Sequence, residues 1–324
     1  MRVVFIGTGE IGVPVLRWLV ETQEHQLVGV VTQPDKPVGR EQRIQAPPIK
    51  AALGSNDIPV LQPPRIKREE AVADIRALAP DAIVVMAYGQ ILPRAVLDIP
   101  PIACLNLHAS LLPKYRGAAP IQAAIAAGDG ETGITVMYMD EGLDTGDMLL
   151  KSVIPIAPDE TGRSLHDRLA TIAPSALSEA LQQLGAGTAP RIPQSDAEAT
   201  YAPKLEREHG QIDWSQPAEI IERKIRAFDP WPGTLAVLRD AAGAERKLKI
   251  FPPTSVQEEA ASSGAIVSSA GALLIGTGSG SLRLDDVQLE GKKRMSAADF
   301  VRGQPWIANA HAMSFSFPSQ QPSV

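Results

Sequence analysis

The stretch Val3-Val4-Phe5-Ile6-Gly7-Thr8-Gly9-Glu10-Ile11-Gly12 decides the fold of this chain. Its apolar residues lead directly into a glycine-rich turn, and a segment with helical spacing of its apolar residues starts near Ile11. A strand, a tight turn and a helix in this order are typical of the first unit of a doubly wound α/β sheet. We therefore expect a Rossmann-like sheet at the start of the chain.

The glycine pattern leaves two interpretations open. Gly7, Gly9 and Gly12 match the dinucleotide-binding fingerprint, and Asp35 lies near the expected distance downstream. Asp35 follows Pro34 in a loop, however, whereas a ribose-binding carboxylate normally ends its strand. Glycines at these positions also simply allow the tight first turn of such a sheet. On the motif alone, a dinucleotide site and a turn without a ligand are about equally supported.

Short apolar runs continue to alternate with helical patterns along the first part of the chain. Predicted strands lie at residues 3–6, 27–31, 60–61, 82–87, 102–108, 134–139 and 148–156. Predicted helices begin near residues 11, 48, 68 and 93, span 117–127, and span 162–184 with an interruption at Pro174. Strands rich in Val and Ile that are separated by helices predict a mostly parallel sheet covered on both faces.

The character of the sequence changes after Gly185, where Gly, Pro and polar residues occur without periodicity. We predict a first domain at 1–187, a linker at 188–205, a second domain at 206–311 and a loose tail at 312–324. In the second domain, a helix at 218–227 precedes predicted strands at 235–238, 247–250, 265–267, 273–275 and 282–289. Short strands with glycine-rich turns predict a small OB-like β barrel.

Composition limits the class of protein. The 324 residues carry a net charge of −6, which argues against a uniformly basic nucleic-acid-binding domain without excluding a local basic surface. The sequence contains neither an apolar run of about eighteen residues nor a signal-peptide pattern, so we expect a cytoplasmic protein that does not enter a membrane. The lone Cys104 predicts no internal disulfide, and five dispersed histidines predict no metal site.

Asn106 and His108 end the predicted strand at 102–108. Alternate residues of a strand point to the same side, so the amide and the imidazole should lie about 7 Å apart on one face. An amide donor beside a group that titrates near neutral pH suits a transition state with negative charge on a carbonyl oxygen. This favours acyl transfer, although an isolated Asn-x-His more often only caps a loop.

The residues that follow make this pattern more specific. Asn106-Leu107-His108 precedes Ser110-Leu111-Leu112-Pro113, Tyr115, Arg116-Gly117 and a later Asp144. Here the chain resembles the folate-dependent formyltransferases, which share these motifs in this order. Further matching segments lie at 33–40, 87–93, 142–147, 212–214, 225–232 and 291–296. The resemblance covers almost the whole chain except the tail, and it implies a formyltransferase fold that needs no dinucleotide at the glycine turn.

The resemblance implies a reaction and a set of catalytic residues. The amino group of methionine, esterified to initiator tRNA, would attack the formyl carbon of the co-substrate 10-formyltetrahydrofolate, and no metal would be required. Asn106 and His108 would stabilise the negative oxygen of the tetrahedral intermediate. Asp144 would accept a hydrogen bond from His108 and would also move protons through a water molecule.

The resemblance also implies binding residues. The folate site would be formed by Ser110, Leu111, Leu112, Pro113, Tyr88, Gly89, Gln90, Ile91, Leu92, Asp140 and Glu141. Phosphates of the tRNA would meet two basic patches: a loop patch of Lys36, Arg40, Arg43 and Lys50, and a turn patch of Lys292, Lys293 and Arg294. Lys114 and Arg116 could meet the folate tail or a tRNA phosphate, although an exposed Lys or Arg is more often only solvated. The chain is expected to act as a monomer.

Three alternatives involve different partners or chemistry. The nearest is formyl transfer to an amino-sugar nucleotide, because the resemblance through Asp213-Trp214 and residues 229–232 extends to such enzymes. The long loop after Gln33 and the segment at 291–295 favour tRNA instead. An NAD-dependent oxidoreductase is the alternative from another reaction class, and a noncatalytic RNA-binding protein is the alternative that is not an enzyme.

Overall fold

The computed structural model describes residues 1–39, 41–259, 261–269 and 272–314. The chain forms two compact units. The first unit is Met1–Gly117, Glu131–Ile154 and His166–Tyr201. The second unit is Ala118–Gly130, Pro155–Leu165 and the chain from Ala202 onward. Each unit therefore takes residues from three separate parts of the sequence.

The order of strands and helices is close to the predicted one. Up to residue 202 the elements are β1 (Arg2–Gly7), α1 (Val13–Glu21), β2 (Gln26–Val31), β3 (Lys36–Val38), β4 (Arg43–Gln45), α2 (Pro48–Leu53), β5 (Val60–Leu61), α3 (Glu69–Ala77), β6 (Ala82–Met86), α4 (Arg94–Leu97), β7 (Ala103–His108), β8 (Arg116–Gly117), α5 (Pro120–Ala127), β9 (Glu131–Tyr138), β10 (Met148–Pro155), α6 (Gly162–Gly185) and β11 (Tyr201–Ala202). They continue with α7 (Ala218–Ala227), β12 (Thr234–Arg239), β13 (Glu245–Gln257), β14 (Ile266–Ser269), β15 (Ala272–Gly276), β16 (Ser281–Leu289), β17 (Met295–Ser296), α8 (Ala297–Gly303) and β18 (His311–Met313). No helix in the described part of the chain combines the length and the apolar content needed to cross a bilayer.

The first unit is built on a seven-stranded sheet in the order β10-β9-β7-β6-β1-β2-β5. The pairs β1/β2, β1/β6, β2/β5 and β6/β7 are parallel, whereas β7/β9 is antiparallel. Residues 3–6 of β1 are fully buried, as expected for a strand covered on both faces. The predicted doubly wound, mostly parallel sheet is therefore confirmed.

The glycine turn after β1 packs against the end of β6. The backbone N–H groups of Thr8 and Gly9 both donate to the Ala87 carbonyl, at 3.2 and 3.3 Å. A Cβ atom added at Gly7 would lie 2.9 Å from the Met86 carbonyl oxygen, so only glycine fits there. Two donors that a bound pyrophosphate would need are thus already used, which favours the interpretation as a turn without a dinucleotide.

Asp35 has partners other than a ribose. Its carboxylate accepts hydrogen bonds from Lys50 Nζ at 2.8 Å and from Gln62 Nε2 at 2.7 Å. The hydrogen bonds from Gln62 and Lys50 hold the pKa of Asp35 below its usual value. Asp35 and Lys50 therefore satisfy each other, and the dinucleotide fingerprint has no free carboxylate at the expected position.

Two predicted helix boundaries are wrong. Helix α6 runs through Pro174 without the predicted interruption, although a proline lacks the N–H that would bond to the carbonyl four residues earlier. The helix predicted from residue 117 starts at Pro120, because Arg116 and Gly117 form the short strand β8 instead. At Pro174, the tendency of proline to break a helix is outweighed by the packing of α6 as a whole.

The second unit contains the predicted small β barrel. Six of its strands follow the order β14-β15-β16-β13-β12-β18, and β17 pairs with β16. An antiparallel bridge between Ala265 and His311 joins the beginnings of β14 and β18 and nearly closes the barrel. Trp214, Leu248 and Phe300 lie in its core. Residues 312 and 313, predicted to belong to a loose tail, instead pair with β12, and Ala312 is fully buried; the tail from residue 315 lies outside the described residues.

Lys224 on α7 is largely enclosed within the second unit. Its ammonium donates to the Gln211 carbonyl at 2.6 Å and lies 5.6 Å from the centroid of the Phe228 ring. Burial lowers the pKa of Lys224 to about 8, and the nearby Asp213 carboxylate offsets only part of this effect. The folded chain therefore releases this proton at a lower pH than the unfolded chain, in which a lysine pKa is about 10.4.

Replacing Lys224 by Met is expected to remove a pH-dependent contribution to stability. Between about pH 8 and pH 10.4 the unfolded wild-type chain binds more protons at this position than the folded chain, so its contribution to the free energy of unfolding rises with pH. The urea midpoint of the variant, measured relative to wild type, should thus fall between pH 7.5 and pH 9.5, while an exposed Lys247→Met control should not change in this way. A difference between Lys224→Met and wild type that is constant with pH would contradict the expectation.

Candidate active site

The three predicted catalytic residues lie together at one end of the first unit's sheet. Asn106 and His108 are alternate residues at the end of β7, and Asp144 lies in the loop between β9 and β10. Asn106 Nδ2 donates to Asp144 Oδ1 at 3.2 Å, and His108 Nδ1 lies 3.6 Å from Asp144 Oδ2. The carboxyl end of a strand is the usual position of a ligand site in such a sheet.

The contact between His108 and Asp144 differs from the predicted hydrogen bond. A separation of 3.6 Å is longer than a hydrogen bond, and Asp144 Oδ2 instead accepts the N–H of Gly117 at 2.9 Å. His108 Nε2 lies 2.9 Å from the carbonyl oxygen of Tyr115. Because a carbonyl only accepts, this contact places a proton on Nε2 and leaves Nδ1 facing the carboxylate.

The site is sheltered from solvent. The His108 side chain is 5% exposed and that of Asp144 is 15% exposed. Low exposure strengthens the electrostatic interaction of these groups with any charge that develops beside them. The arrangement can therefore present the amide of Asn106 and the imidazole of His108 to a negative oxygen. Asp144 orients the amide by its hydrogen bond, and the Tyr115 carbonyl orients the imidazole.

Gln194, which no sequence pattern singled out, contacts the loop carrying Asp144. Its amide nitrogen donates to the carbonyl oxygens of Asp144 and Gly146, at 2.8 and 2.7 Å. Gln194 falls within the segment predicted as a linker at 188–205, which has neither periodicity nor a motif. Its hydrogen bonds to a backbone turn 50 residues earlier depend on the folded structure and cannot be read from the sequence.

Arg116 has a structural environment that contradicts its expected contact with folate or phosphate. Its side chain is 2% exposed, and its guanidinium donates to Gln194 Oε1 at 3.1 Å and to Asp196 Oδ1 at 2.9 Å. A buried guanidinium with these partners is not available to a ligand.

The segment Ser110–Pro113 is fixed by internal contacts. Ser110 Oγ donates to the Lys114 carbonyl at 2.6 Å, and Thr135 Oγ1 accepts the N–H of Leu112 at 3.1 Å. Ser110 and Leu112 are fully buried, and Leu112 packs in an apolar cluster with Met137 and Met148. Leu111 and Pro113 are half-buried, so within this segment they are the better placed side chains for contact with a ligand.

The segment Tyr88–Leu92 also divides into buried and exposed residues. Tyr88 and Leu92 are each 3% exposed, and burial raises the pKa of Tyr88 to about 12. Gln90 Oε1 accepts the N–H of Ile66 at 2.9 Å, which fixes this side chain. Gly89 is exposed, and the Ile91 side chain is 83% exposed. Backbone groups and Ile91 are therefore the accessible parts of this segment.

The acidic residues after β9 shape the start of the same loop. Asp140 Oδ1 accepts hydrogen bonds from Thr145 Oγ1 at 2.8 Å and from the N–H of Gly142 at 3.1 Å. Glu141 is exposed beside it. Among the described residues, no group of three or more His, Cys, Asp or Glu side chains is placed to hold a metal ion.

The basic candidates have unequal surroundings. In the loop patch, Lys36 is exposed at the start of β3, Arg43 pairs with Glu41 at 2.7 Å, and Arg40 lies outside the described residues. Lys50 is held by its ion pair with Asp35.

In the turn patch, Arg294 is engaged, whereas the two lysines are accessible. Arg294 pairs with Asp286 at 2.6 Å, and its guanidinium lies 4.3 Å from the centroid of the Phe251 ring. Lys292 and Lys293 are exposed and form no ion pair with another described residue. Lys36, Lys292 and Lys293 are therefore the candidates most available to a phosphate.

Comparisons with known proteins give matches over both parts of the chain. A family model described as formyl transferase matches residues 1–181, and one described as the formyl transferase C-terminal domain matches residues 204–305. Methionyl-tRNA formyltransferase of Akkermansia muciniphila is 49% identical over 313 residues, which cover 96% of this chain and 99% of that protein. The protein of the same name from Pseudomonas paraeruginosa is 49% identical over 304 residues, which cover 94% and 96%.

Two solved structures are similar in fold. HypX from Aquifex aeolicus, in complex with tetrahydrofolic acid, has a TM-score of 0.61 at 18% identity and covers 93% of this chain and 47% of that chain. An N-formyltransferase from Helicobacter canadensis, in complex with folinic acid and dTDP-3-aminofucose, has a TM-score of 0.62 at 16% identity and covers 91% and 100%. At these identities the likeness concerns the fold alone.

Proposed function

The chain belongs to the methionyl-tRNA formyltransferase family, and from this premise we propose that it transfers the formyl group of 10-formyltetrahydrofolate to the amino group of methionine on initiator tRNA. The observation that carries the proposal is the meeting of Asn106, His108 and Asp144 at the end of β7. This arrangement supplies donors for an oxyanion, with a carboxylate that orients the amide of Asn106 and faces the imidazole of His108.

In the proposed mechanism, the amine attacks the formyl carbon and the formyl oxygen becomes negative. Asn106 Nδ2 carries two hydrogens, of which one is bonded to Asp144, so the other can bind this oxygen. Protonated His108 can donate from Nδ1, because Nε2 already donates to Tyr115. Removing one such donor in other enzymes lowers kcat by about 10²–10³-fold, which is the size of effect expected of each.

Proton transfer completes the proposed reaction. The attacking nitrogen must lose a proton, and the folate nitrogen that leaves the formyl carbon must gain one. The carboxylate of Asp144 faces His108. A water molecule held by Asp144 would connect the two nitrogens. We propose that His108 and the water held by Asp144 together carry these two proton transfers.

We assign the folate to the surface next to these residues. The half-buried Leu111 and Pro113 would contact its ring system, together with backbone groups of 88–92 and 140–141. Ser110 and Leu112 are fully buried, so they would not contact the folate themselves but would fix the backbone of the segment. The complexes of HypX with tetrahydrofolic acid and of the Helicobacter canadensis enzyme with folinic acid support a folate ligand for this fold.

Two exposed basic surfaces support a nucleic-acid acceptor. Lys36 lies on the ribbon formed by β3 and β4, on the same face as the side chain of Val38, which is 47% exposed. Ile44, which is 67% exposed, lies on the opposite face of the ribbon. Lys292 and Lys293 project from the turn after β16. Cations bind phosphates, and aliphatic side chains on a ribbon can contact base edges or the ends of stacked pairs.

The test of the proposal compares acceptors. Purified protein is given 10-formyltetrahydrofolate with either initiator Met-tRNA or an amino-sugar nucleotide, and the formylated product is measured. We expect rapid formation of formyl-Met-tRNA and at least about 10³-fold lower kcat/KM with the sugar nucleotide, because a polar recognition site discriminates by about this factor or more. Formylation of the sugar nucleotide alone would overturn the proposed acceptor, and the absence of both products would overturn formyl transfer.

Other predictions about the whole protein stay proposals. We propose domain boundaries at 187 and 206, a monomeric state and a cytoplasmic location. Gel filtration with light scattering would test the monomer directly.

A further inference from the structure

We propose that Gln194 is a positioning residue for formyl transfer, which fixes the main chain around Asp144 and thereby the carboxylate that orients Asn106. The inference rests on the proposed function for its chemical role. Its structural part, the attachment of the catalytic loop, stands on the geometry of the first unit.

The amide of Gln194 is fully used. Its nitrogen donates to the carbonyls of Asp144 and Gly146 at 2.8 and 2.7 Å, so both of its hydrogens have acceptors. Its oxygen accepts from Arg116 Nε at 3.1 Å. Because an arginine N–H can only donate, the atom facing Arg116 must be the oxygen, and the orientation of the amide is thereby determined.

The backbone of the loop needs such support. Asp144 adopts a φ of 52°, in the left-handed region that residues other than glycine rarely occupy. The two carbonyls bound by Gln194 lie on either side of Thr145 and enclose this unusual turn. Because Gln194 binds the carbonyls of Asp144 and Gly146 at the same time, it stabilises the loop conformation in which both carbonyls face its amide.

Arg116 links Gln194 to the segment that binds the Asp144 carboxylate. Its guanidinium is 2% exposed and is held by Gln194 and Asp196. The next residue along the chain, Gly117, donates its N–H to Asp144 Oδ2 at 2.9 Å. The main chain of Asp144 is thus held by Gln194, and its side chain is held by the residue after Arg116.

A second pair of contacts joins the same two segments. Met148 and Ile192 exchange backbone hydrogen bonds of 2.8 and 3.0 Å just beyond the loop. Segment 192–196 therefore touches the end of the loop at the backbone and its middle through Gln194. This is the role that we infer for a part of the chain whose composition predicted a linker.

The decisive variants are Gln194→Glu and Gln194→Ala. Glu keeps the length and the acceptor for Arg116 but replaces the two N–H donors by an oxygen that faces two carbonyls. Because a displacement of a catalytic group by about 1 Å can lower the rate by about 10²-fold, we expect both variants to lose about tenfold to a hundredfold in kcat. The KM values for tRNA and folate should stay within about threefold of wild type, since Gln194 touches neither ligand in the proposed mechanism.

The control is Gln183→Ala, which removes a half-buried glutamine on α6 whose side-chain amide donates to Glu179 and which is expected to keep full activity. Full kcat in Gln194→Glu and Gln194→Ala would overturn the proposal. Loss of kcat in Gln194→Ala with full kcat in Gln194→Glu would also overturn it, because the donors would then be dispensable.

A measurement without substrates keeps the inference separate from the proposed function. Hydrogen exchange of the backbone amides of Gly117 and Met148 reports the bonds to Asp144 and Ile192. Both amides should exchange faster in the Gln194 variants than in wild type and in Gln183→Ala. If wild type fails to formylate Met-tRNA, the proposed function fails, whereas unchanged exchange at both amides would overturn the attachment by Gln194.

Discussion

Replacing Asp144 by Asn is expected to lower kcat for formyl transfer by about a hundredfold or more while leaving tRNA binding nearly intact. The carboxylate accepts from Asn106 Nδ2 at 3.2 Å and from the Gly117 N–H at 2.9 Å, one bond on each oxygen. An asparagine amide has one acceptor oxygen, so its nitrogen would face one of these donors. Either the loop or Asn106 must then move, and the partner of His108 loses its charge.

Single-turnover formylation with saturating tRNA and folate measures this effect, and filter binding measures the affinity for tRNA. Asp147→Asn is the matched control, because Asp147 lies in the same loop and its side chain faces Arg191 at 3.6 Å. The role assigned to Asp144 would be refuted by a variant that turns over at the wild-type rate. Equal losses in both variants would instead indicate a general effect on the loop.

Replacing Trp214 by Ala is expected to reduce the free energy of unfolding by about 3–5 kcal/mol. Trp214 is fully buried and has the largest of the fully buried side chains among the described residues. It lies in the core of the barrel with Leu248 and Phe300, so truncation leaves a large cavity there. Urea unfolding followed by circular dichroism checks the expectation. Trp231→Ala is the control, since that side chain is 48% exposed and should cost much less.

The position of Trp214 also bears on the choice of acceptor. Asp213-Trp214 matched both tRNA-directed and sugar-directed formyltransferases in the sequence. Because Trp214 packs in the core of the barrel, the shared segment is explained by packing and does not distinguish the two acceptors. In the proposed function, exposed residues such as Lys36 and Lys292 would distinguish the acceptors instead.

Sequence patterns predicted those features that depend on local periodicity. The runs of Val and Ile predicted the parallel strands, and the period of two placed Asn106 and His108 on one face of β7. The resemblance to a family then added Asp144, which no local rule would have selected from an acidic, glycine-containing loop. The contact itself differs from the expectation, because a backbone N–H of Gly117 competes for the carboxylate.

The features that sequence patterns missed depend on contacts between distant segments. Gln194 binds carbonyl groups, which are present at every residue and leave no mark in a sequence. Arg116 resembled an exposed cation because its buried position is set by partners 78 and 80 residues away. Ala312 was assigned to a tail because a single strand of three residues at the edge of a barrel has too few apolar positions to form a pattern.

The interleaved segments of the second unit have a consequence for synthesis of the chain on the ribosome. Helix α5 buries Ile121 and Ile125 and packs against α7, and Arg223 of α7 donates to the Ala127 carbonyl from 96 residues further along. At about 5–20 residues per second, α7 is made roughly 5–20 s after α5. During that interval α5 lacks α7, the helix on which it packs, and a nascent chain arrested at this stage should be a target for chaperones that bind apolar segments.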